Sequence, residues 1–282
     1  MRLDRSRSSQ NVEDRRSAGP RIGRGKIGLG TVVLALVAMY FGIDPNMVLN
    51  LAEGPVTQPP AQSVPANDAQ GQYIAKVLGE TEDVWRDIFR QQTNGQYRDP
   101  VLVLYRGATP TACGTGQSAM GPFYCPGDEK LYIDLGFFDE MERGMGVKGD
   151  FAPAYVIAHE VGHHVQNQLG AMRAVEQARR SGSQTRANQA SVRLELQADC
   201  YAGIWAHHAD AQRQILEPGD IQEAMAAAQA VGDDTLQKQA QGYVVPDSFT
   251  HGSARQRMAW FQEGYRSGQL RSCDTFTLAD PR

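Results

Sequence analysis

The motif H-E-x-x-H, at residues 159–163, constrains the fold of this 282-residue chain more than any other feature. It lies in an apolar run with helical periodicity that ends at Gly170. On a helix, His159 and His163 lie one turn apart on one face, so both imidazoles can bind one zinc ion at about 2.0–2.1 Å. Glu160 lies beside them, where it could take a proton from a water at the metal without being a ligand. The motif therefore predicts a zinc site with a general base.

A catalytic zinc needs a third protein ligand and keeps a fourth position for water. The next predicted helix, from about Ala190 to Ala209, carries Glu195 and Asp199 four residues apart, so both point one way. Glu195 could bind the metal while Asp199 accepts the free N–H of a ligand histidine. Ordinary surface charges are the alternative, but the run 196–205 is too apolar for a solvated face. We expect one Zn²⁺ bound by the two motif histidines and Glu195, with Asp199 behind them.

The remaining histidines divide into three kinds. His164 is turned by about 100° from the ligand before it, so it should miss the metal. His207 and His208 lie near a predicted helix C-terminus, where a cation interacts favourably with the helix dipole. His251 lies in a loop before the last predicted helix. Its imidazole could stabilise the oxyanion that develops when water attacks a peptide carbonyl. A structural loop histidine is the alternative for His251.

Charge is distributed unevenly along the chain. Residues 1–26 contain eight basic and three acidic side chains, whereas the rest contains 20 basic and 29 acidic ones. An acidic globular part argues against a nucleic-acid partner. After the basic head comes an uncharged apolar run, residues 27–43, which would be about 25 Å long as a helix. This run predicts a single-pass transmembrane signal anchor in the lipid bilayer, with a buried core helix as the alternative, and the head on the cytoplasmic side.

These features divide the chain into four predicted segments. They are a basic cytoplasmic head (1–26), a transmembrane anchor (27–43), a proline-rich linker (44–70) and a zinc metallopeptidase domain (71–282). The expected location is the bacterial inner membrane, with the domain on the periplasmic side.

Within the domain, the pattern predicts several helices and a small sheet, hence an α+β fold. Expected helices cover 71–92, 150–170, 190–209 and 218–231, and a last one starts at an N-cap, Ser253. Expected strands cover 101–105 and 130–135, joined by a Gly/Pro-rich segment, and residues 171–188 form either a loop or a helix extension.

The four cysteines have no C-x-x-C spacing, so they do not form a zinc finger. An even number in an exported domain favours disulfides. Cys113 and Cys125 flank a glycine-rich, hairpin-like stretch and are the first choice of pair. Cys200 and Cys273 then form either a second disulfide or two buried thiols.

Five ordered blocks together resemble the bacterial neutral zinc metallopeptidase family. They are residues 131–141, 149–170, 194–203, 249–265 and 273–276. The E-x-x-x-D block is also similar to that of integral-membrane zinc peptidases that process prenylated proteins, a gluzincin arrangement. The resemblance implies a zincin-like fold with His159, His163 and Glu195 as ligands and Glu160 as the base. His251 falls in a matched block, while the head, anchor and linker lie outside the match, which starts near Ala69.

The expected function is a membrane-anchored zinc endopeptidase that hydrolyses peptide or protein substrates. A substrate in extended conformation could pair with the strand at 130–135 if that strand is an exposed edge. Two alternatives are a catalytically silent zinc-binding membrane adaptor or chaperone, and a zinc amidase that acts on cell-wall peptide. Glu160 argues against the silent module, because a structural zinc site needs no base. The oligomeric state is not predicted.

Overall fold

The computed structural model describes residues 1–17 and 62–277. The strands are Val12–Asp14 (β1), Val101–Tyr105 (β2), Ala108–Thr111 (β3), Gly114–Gln117 (β4), Phe123–Cys125 (β5) and Lys130–Asp134 (β6). The helices are Ala69–Gln92 (α1), Gly136–Arg143 (α2), Phe151–Leu169 (α3), Met172–Arg180 (α4), Gln184–Arg213 (α5), Asp220–Ala230 (α6), Asp233–Gln241 (α7) and Ala254–Ser267 (α8). Helices predominate over a small sheet, which confirms the predicted α+β class.

The longer helices and the five-residue strands β2 and β6 lie close to their predicted positions, whereas the shortest strands and the helices α2, α4 and α7 were not predicted. Residues 171–188 contain a separate helix, α4, and the first turn of α5, which extends beyond the predicted range at both ends. The three-residue strands β1 and β5, and the hairpin β3–β4, are too short for a clear alternation of apolar and polar residues. The predicted cap of the last helix is present: Ser253 and Gln256 form a reciprocal capping box at the start of α8.

The main sheet has the strand order β1–β2–β6–β5. Strands β1, β2 and β6 are parallel, and β5 pairs antiparallel to β6. Because side chains alternate along a strand, the two central strands bury residues on both faces. One face contributes to the main core (Leu102, Leu104, Leu131 and Ile133), and the other packs with Cys125 of β5 in a small cluster (Val103, Tyr105 and Tyr132).

The prediction that the strand at 130–135 is an exposed edge is therefore wrong. Strand β6 is paired on both sides, with β2 and with β5. The described residues place β5 at that end of the sheet instead. The reason is the return of the chain through Phe123–Cys125, a strand too short to recognise in the sequence.

Helices α5 and α8 are in direct backbone contact through two glycines. A Cβ on Gly203 would lie 2.1 Å from the carbonyl oxygen of Phe261, and one on Gly264 would lie 1.9 Å from that of Cys200. No side chain could fit at either position without moving a helix. This contact brings the side chains of α8 next to the acidic residues of α5.

Two disulfides are present, the preferred pair and one of the two alternatives for the remaining cysteines. Cys113–Cys125 joins the turn of the β3–β4 hairpin to β5, and Cys200–Cys273 joins the C-terminal segment to α5. No described cysteine is free. The first-choice pair is confirmed, and the alternative of free thiols at Cys200 and Cys273 is wrong.

Residues 1–17 pack against the domain that contains H-E-x-x-H. Strand β1 adds to the sheet, with Val12 opposite Leu102. Arg7 forms an ion pair with the fully buried carboxylate of Glu82, at 2.5 Å. Arg15 is also buried. Basic side chains of this segment thus form ion pairs with acidic residues elsewhere in the chain, as Arg2 does with Glu217 and Arg16 with Asp68.

The localisation predicted from the sequence is wrong. It placed residues 1–26 on the cytoplasmic side of a membrane and the domain on the other side, yet residues 1–17 pack on that domain. Among the described residues, no helix combines the length and the apolar character needed to cross a membrane. The apolar run 27–43, on which the prediction of an anchor rested, lies outside the described residues.

Candidate metal centre

Helices α3 and α5 bring three potential metal ligands together. The Nε2 atom of His159 lies 3.2 Å from one carboxylate oxygen of Glu195, and Nε2 of His163 lies 3.4 Å from the other. Around a tetrahedral zinc with bonds of about 2.0–2.1 Å, neighbouring ligand atoms are roughly 3.3 Å apart. Ligand atoms of the three side chains all lie within 4.8 Å of one another. The group could therefore hold a metal ion, and its dimensions suit zinc.

A contact between small residues sets the distance between the two helices. A Cβ on Gly162 would lie 3.0 Å from the carbonyl oxygen of Ala198 and 3.2 Å from its Cα. Gly162 is part of the H-E-x-x-H motif, and Ala198 lies between Glu195 and Asp199. The two backbones thus approach closely at the level of the candidate ligands, which places a carboxylate of α5 within reach of both histidines.

Each imidazole is oriented by a partner at its other nitrogen. Nδ1 of His159 lies 2.8 Å from a carboxylate oxygen of Asp199, and Nδ1 of His163 lies 2.8 Å from the amide oxygen of Gln166. The amide nitrogen of Gln166 donates to the Leu194 carbonyl at 2.6 Å, which identifies the oxygen as the atom facing His163. Both Nδ1 atoms therefore donate, and both Nε2 atoms remain for a metal.

When no cation is bound, the charges of the site favour the ionised forms of Glu195 and Asp199 and the protonated forms of the two motif histidines. Burial opposes the charge on His159, but Asp199 and Glu195 raise its pKa to about 10. Burial likewise opposes ionisation of Glu195, yet the charges of His163 and His159 hold its pKa well below the usual range. A metal ion must displace a proton from His159, so metal binding competes with protonation.

Asp199 is fully buried and has charged and neutral partners. Burial opposes its ionisation, but the positive charges of Arg257 and His159 lower its pKa to about 2. Arg257 and Tyr155 both donate to its carboxylate. Asp199 therefore remains a carboxylate and accepts the Nδ1 proton of His159.

Glu160 lies on α3, next to His159, and faces a cleft of about 1350 Å³. His159, His163 and Glu195 also line this cleft. Burial raises the pKa of the Glu160 carboxyl above its ordinary value. A carboxylate with a raised pKa beside a metal site is suited to accept a proton near neutral pH.

His251 lines the same cleft, and its side chain is 52% exposed. Its Nδ1 lies 3.1 Å from a carboxylate oxygen of Asp233, and this hydrogen bond raises the pKa of His251. The other oxygen of Asp233 accepts backbone N–H bonds from Thr250, His251 and Gly252, at 2.7–3.0 Å. Asp233 thus fixes both the loop and the imidazole that it carries.

The other histidines occupy structural positions. His164 is fully buried and contacts the Tyr124 hydroxyl and the Arg98 carbonyl. His207 and His208 contact the carbonyl oxygens of Tyr265 and Gly268. Both histidines belong to α5, which continues past them to Arg213, so they do not lie at its C-terminus. Their rings instead contact the C-terminal end of α8.

Sequence reasoning missed four residues that support the site: Tyr155, Gln166, Asp233 and Arg257. Gln166 lies three residues after His163, so helical spacing alone could have identified it. Asp233 and Arg257 come from other helices, and no local pattern connects them to the motif. Tyr155 precedes His159 by one turn, but its role becomes apparent only from the hydrogen bond of its hydroxyl to Asp199 on α5.

A second acidic group lies away from the cleft. Carboxylate oxygens of Asp150, Asp220 and Glu223 lie close enough to share a cation. The amino group of Met1 contacts two of them, at 2.9 Å from Asp150 and 3.4 Å from Asp220. This group already has a positive partner, and no histidine belongs to it.

Comparison with known proteins supports the interpretation of the first site. A family model described as "Putative neutral zinc metallopeptidase" matches residues 1–276. This match includes the N-terminal segment, whereas the five sequence blocks that resemble the family begin only near Ala69.

Two relatives show how far the similarity extends. The chain is 49% identical over 288 residues to the uncharacterized protein YpfJ of Escherichia coli K12, covering 98% of this chain and 99% of that protein. It is 40% identical over 262 residues to the uncharacterized protein Rv2575 of Mycobacterium tuberculosis H37Rv, covering 86% of each. No solved structure matches the chain at a significant level.

Proposed function

Because the chain belongs to the neutral zinc metallopeptidase family, we propose that it is a zinc-dependent endopeptidase. The observation that carries this proposal is the donor geometry in the cleft. Two imidazole nitrogens lie 3.2 and 3.4 Å from the two oxygens of one carboxylate, and a separate glutamate lines the same cleft. Three protein ligands plus a base are what a catalytic zinc site requires, whereas a structural zinc site has four protein ligands.

In this proposal His159, His163 and Glu195 bind the zinc. Bound zinc supplies Lewis-acid chemistry, because it acidifies water to a pKa of about 7 and polarises a carbonyl. Glu160 accepts the proton of the attacking water and then passes it to the leaving amine. Burial raises the pKa of Glu160, and a pKa closer to the working pH suits a group that first accepts and then donates a proton.

His251 has the properties of an oxyanion stabiliser. Its imidazole is exposed to the cleft, and its hydrogen bond to Asp233 favours the protonated, donating form. A donor fixed before the reaction stabilises the developing charge without reorganisation. The carboxylate of Asp233 holds His251 at two points, the ring and the backbone N–H.

The size and walls of the cleft suit a peptide chain. Its volume of about 1350 Å³ exceeds the roughly 300–1,000 Å³ of sites for small ligands. Residues 121–124 line it, and Phe123 and Tyr124 belong to β5, the outermost strand of the sheet among the described residues. An extended substrate could add to this strand through backbone hydrogen bonds. Strand β5 therefore replaces the strand predicted at 130–135 as the proposed docking edge.

The test uses the substitution Glu160→Gln, which keeps the side-chain shape and removes the base. The purified protein is loaded with one equivalent of zinc and incubated with an unfolded protein substrate, and the cleavage products are identified by mass spectrometry. We expect the rate of internal cleavage to fall by about 10²–10⁴-fold while zinc content is unchanged. Glu176→Gln is the matched control, because Glu176 lines the same cleft but pairs with Arg180. Equal cleavage by wild type and Glu160→Gln would overturn the proposal.

A further inference from the structure

The guanidinium of Arg257 lies beside the candidate metal ligands, with its Nη2 3.4 Å from Nδ1 of His159. It is 4% exposed and lies on α8, the helix in backbone contact with α5. Its Nε donates to Oδ2 of Asp199 at 2.8 Å, and its Nη2 donates to Oδ1 at 3.0 Å. Two parallel hydrogen bonds to one carboxylate fix the plane of that carboxylate, which a single bond cannot do.

The two oxygens of Asp199 are unequally supported. Oδ1 accepts from Tyr155, from Arg257 and from Nδ1 of His159. Oδ2 accepts from Arg257 alone, so far as the described residues show. Without the guanidinium, the carboxylate could turn about its Cβ–Cγ bond, and the oxygen that orients His159 would no longer be held in place.

A purely electrostatic role for Arg257 would act in the opposite direction. Its Nη2 lies 3.4 Å from Nδ1 of His159, and both atoms carry hydrogens, so this contact is not a hydrogen bond. A cation this close to a ligand repels a divalent metal. The direct charge of Arg257 therefore does not favour metal binding, whereas the orientation that it imposes on Asp199 does.

We infer that Arg257 is a positioning residue for the metal centre. Its two-point hydrogen bond to Asp199 sets the orientation of the His159 imidazole, so that Nε2 points at the metal position. This inference rests on the proposed function, because it assumes that His159, His163 and Glu195 bind zinc. It adds a residue that lies outside H-E-x-x-H and E-x-x-x-D and whose role is geometric.

The test measures zinc affinity by competition with a chromophoric chelator, at one pH and without substrate. Wild type is compared with Arg257→Lys, which keeps the charge and loses the fork, and with Arg257→Gln, which loses both. Because loss of an orienting partner behind a metal ligand typically weakens metal binding by about 10–100-fold, we expect both variants to bind zinc at least tenfold more weakly. The matched control is Arg213→Gln, since Arg213 also bridges two carboxylates, those of Glu80 and Asp83. Its zinc affinity should equal that of wild type.

Wild-type affinity in Arg257→Lys would overturn the inference, because a point charge would then suffice. Tighter binding by Arg257→Gln would also overturn it and leave only the electrostatic role. Circular dichroism identifies any variant that fails to fold. The absorption spectrum of Co²⁺-loaded Arg257→Lys then provides a second readout, since a misplaced imidazole changes the ligand field. If wild type itself bound no zinc, the proposed function would fail, and that result differs from a failure of the inference alone.

Discussion

The candidate metal centre and the N-terminal segment both bury charged side chains, but they do so over different sequence distances. In the metal centre, each helix contributes its charged residues at a spacing of four. In the N-terminal segment, Arg7 pairs with Glu82 and Glu13 pairs with Lys130, which are 75 and 117 residues away in the sequence. A helical spacing is visible in the sequence, whereas a pairing across the fold is not. A basic composition is therefore equally consistent with two structures: a segment that pairs with an acidic domain, and a head that flanks a membrane.

The largest expected effect concerns the helix contact that supports the metal centre. Gly264→Ala places a Cβ 1.9 Å from the Cys200 carbonyl oxygen, so α8 must move away from α5. Overpacking against backbone should lower the free energy of unfolding by about 3 kcal/mol, as measured by urea denaturation. Gly95→Ala is the control, because its nearest neighbour is 3.6 Å away. Equal stability of the two variants would contradict the close packing of the helices.

The second prediction concerns the N-terminal segment. Arg7→Gln removes the nearer of two cations from the buried carboxylate of Glu82, which keeps Arg86 at 4.0 Å and hydrogen bonds from Ser9 and Asn11. We expect a loss of about 2 kcal/mol in the free energy of unfolding, with unchanged zinc affinity. Arg266→Gln disrupts an exposed pair with Glu263 and should cost less than about 0.5 kcal/mol. A lower zinc affinity of Arg7→Gln would contradict the expectation that the N-terminal segment stabilises the fold without affecting the metal centre.

The third prediction uses the pKa of His159 in the zinc-free protein. Folding raises this pKa from 6.5 to about 10, so the folded state holds the proton more tightly than the unfolded state. The resulting stability is fully present below about pH 6.5 and is lost as the pH rises toward 10. Between these limits we expect the free energy of unfolding to fall more steeply with pH in wild type than in His159→Gln. Parallel curves for the two proteins, measured in urea at each pH, would contradict the buried Asp199–His159–Glu195 arrangement.

The smallest effect is expected from Tyr155→Phe. The hydroxyl of Tyr155 donates to Asp199, but Arg257 and His159 contact the same oxygen. Removing one of three donors should cost about 0.5–1 kcal/mol of stability and change zinc affinity less than threefold. A tenfold loss of zinc affinity would make Tyr155, and not Arg257, the main support of the carboxylate.

The sequence was sufficient for the part of the site that lies on single helices. The spacing of His159 and His163, and of Glu195 and Asp199, predicted which side chains would share a face, and the structure brings all four together. The Cys113–Cys125 disulfide was also predicted, and Cys200–Cys273 was one of the two alternatives for the other cysteines. These features depend on local periodicity or on a small number of possible pairings.

The remainder depends on contacts that no local pattern encodes. Arg257 reaches Asp199 across 58 residues because Gly203 and Gly264 allow α5 and α8 to touch. Asp233 supports His251 from a helix of nine residues that was not predicted. Short strands and glycine-mediated helix contacts are decided by tertiary packing, and a single sequence does not reveal them.

The zinc content of the purified protein tests the central claim most directly. Elemental analysis by mass spectrometry, after dialysis against a weak chelator, should give one zinc ion per wild-type chain and almost none in Glu195→Gln. The second variant loses an anionic ligand but keeps the side-chain shape, so its fold should be retained by circular dichroism. A wild-type protein without zinc, or a Glu195→Gln variant with undiminished zinc, would contradict the metal centre described above.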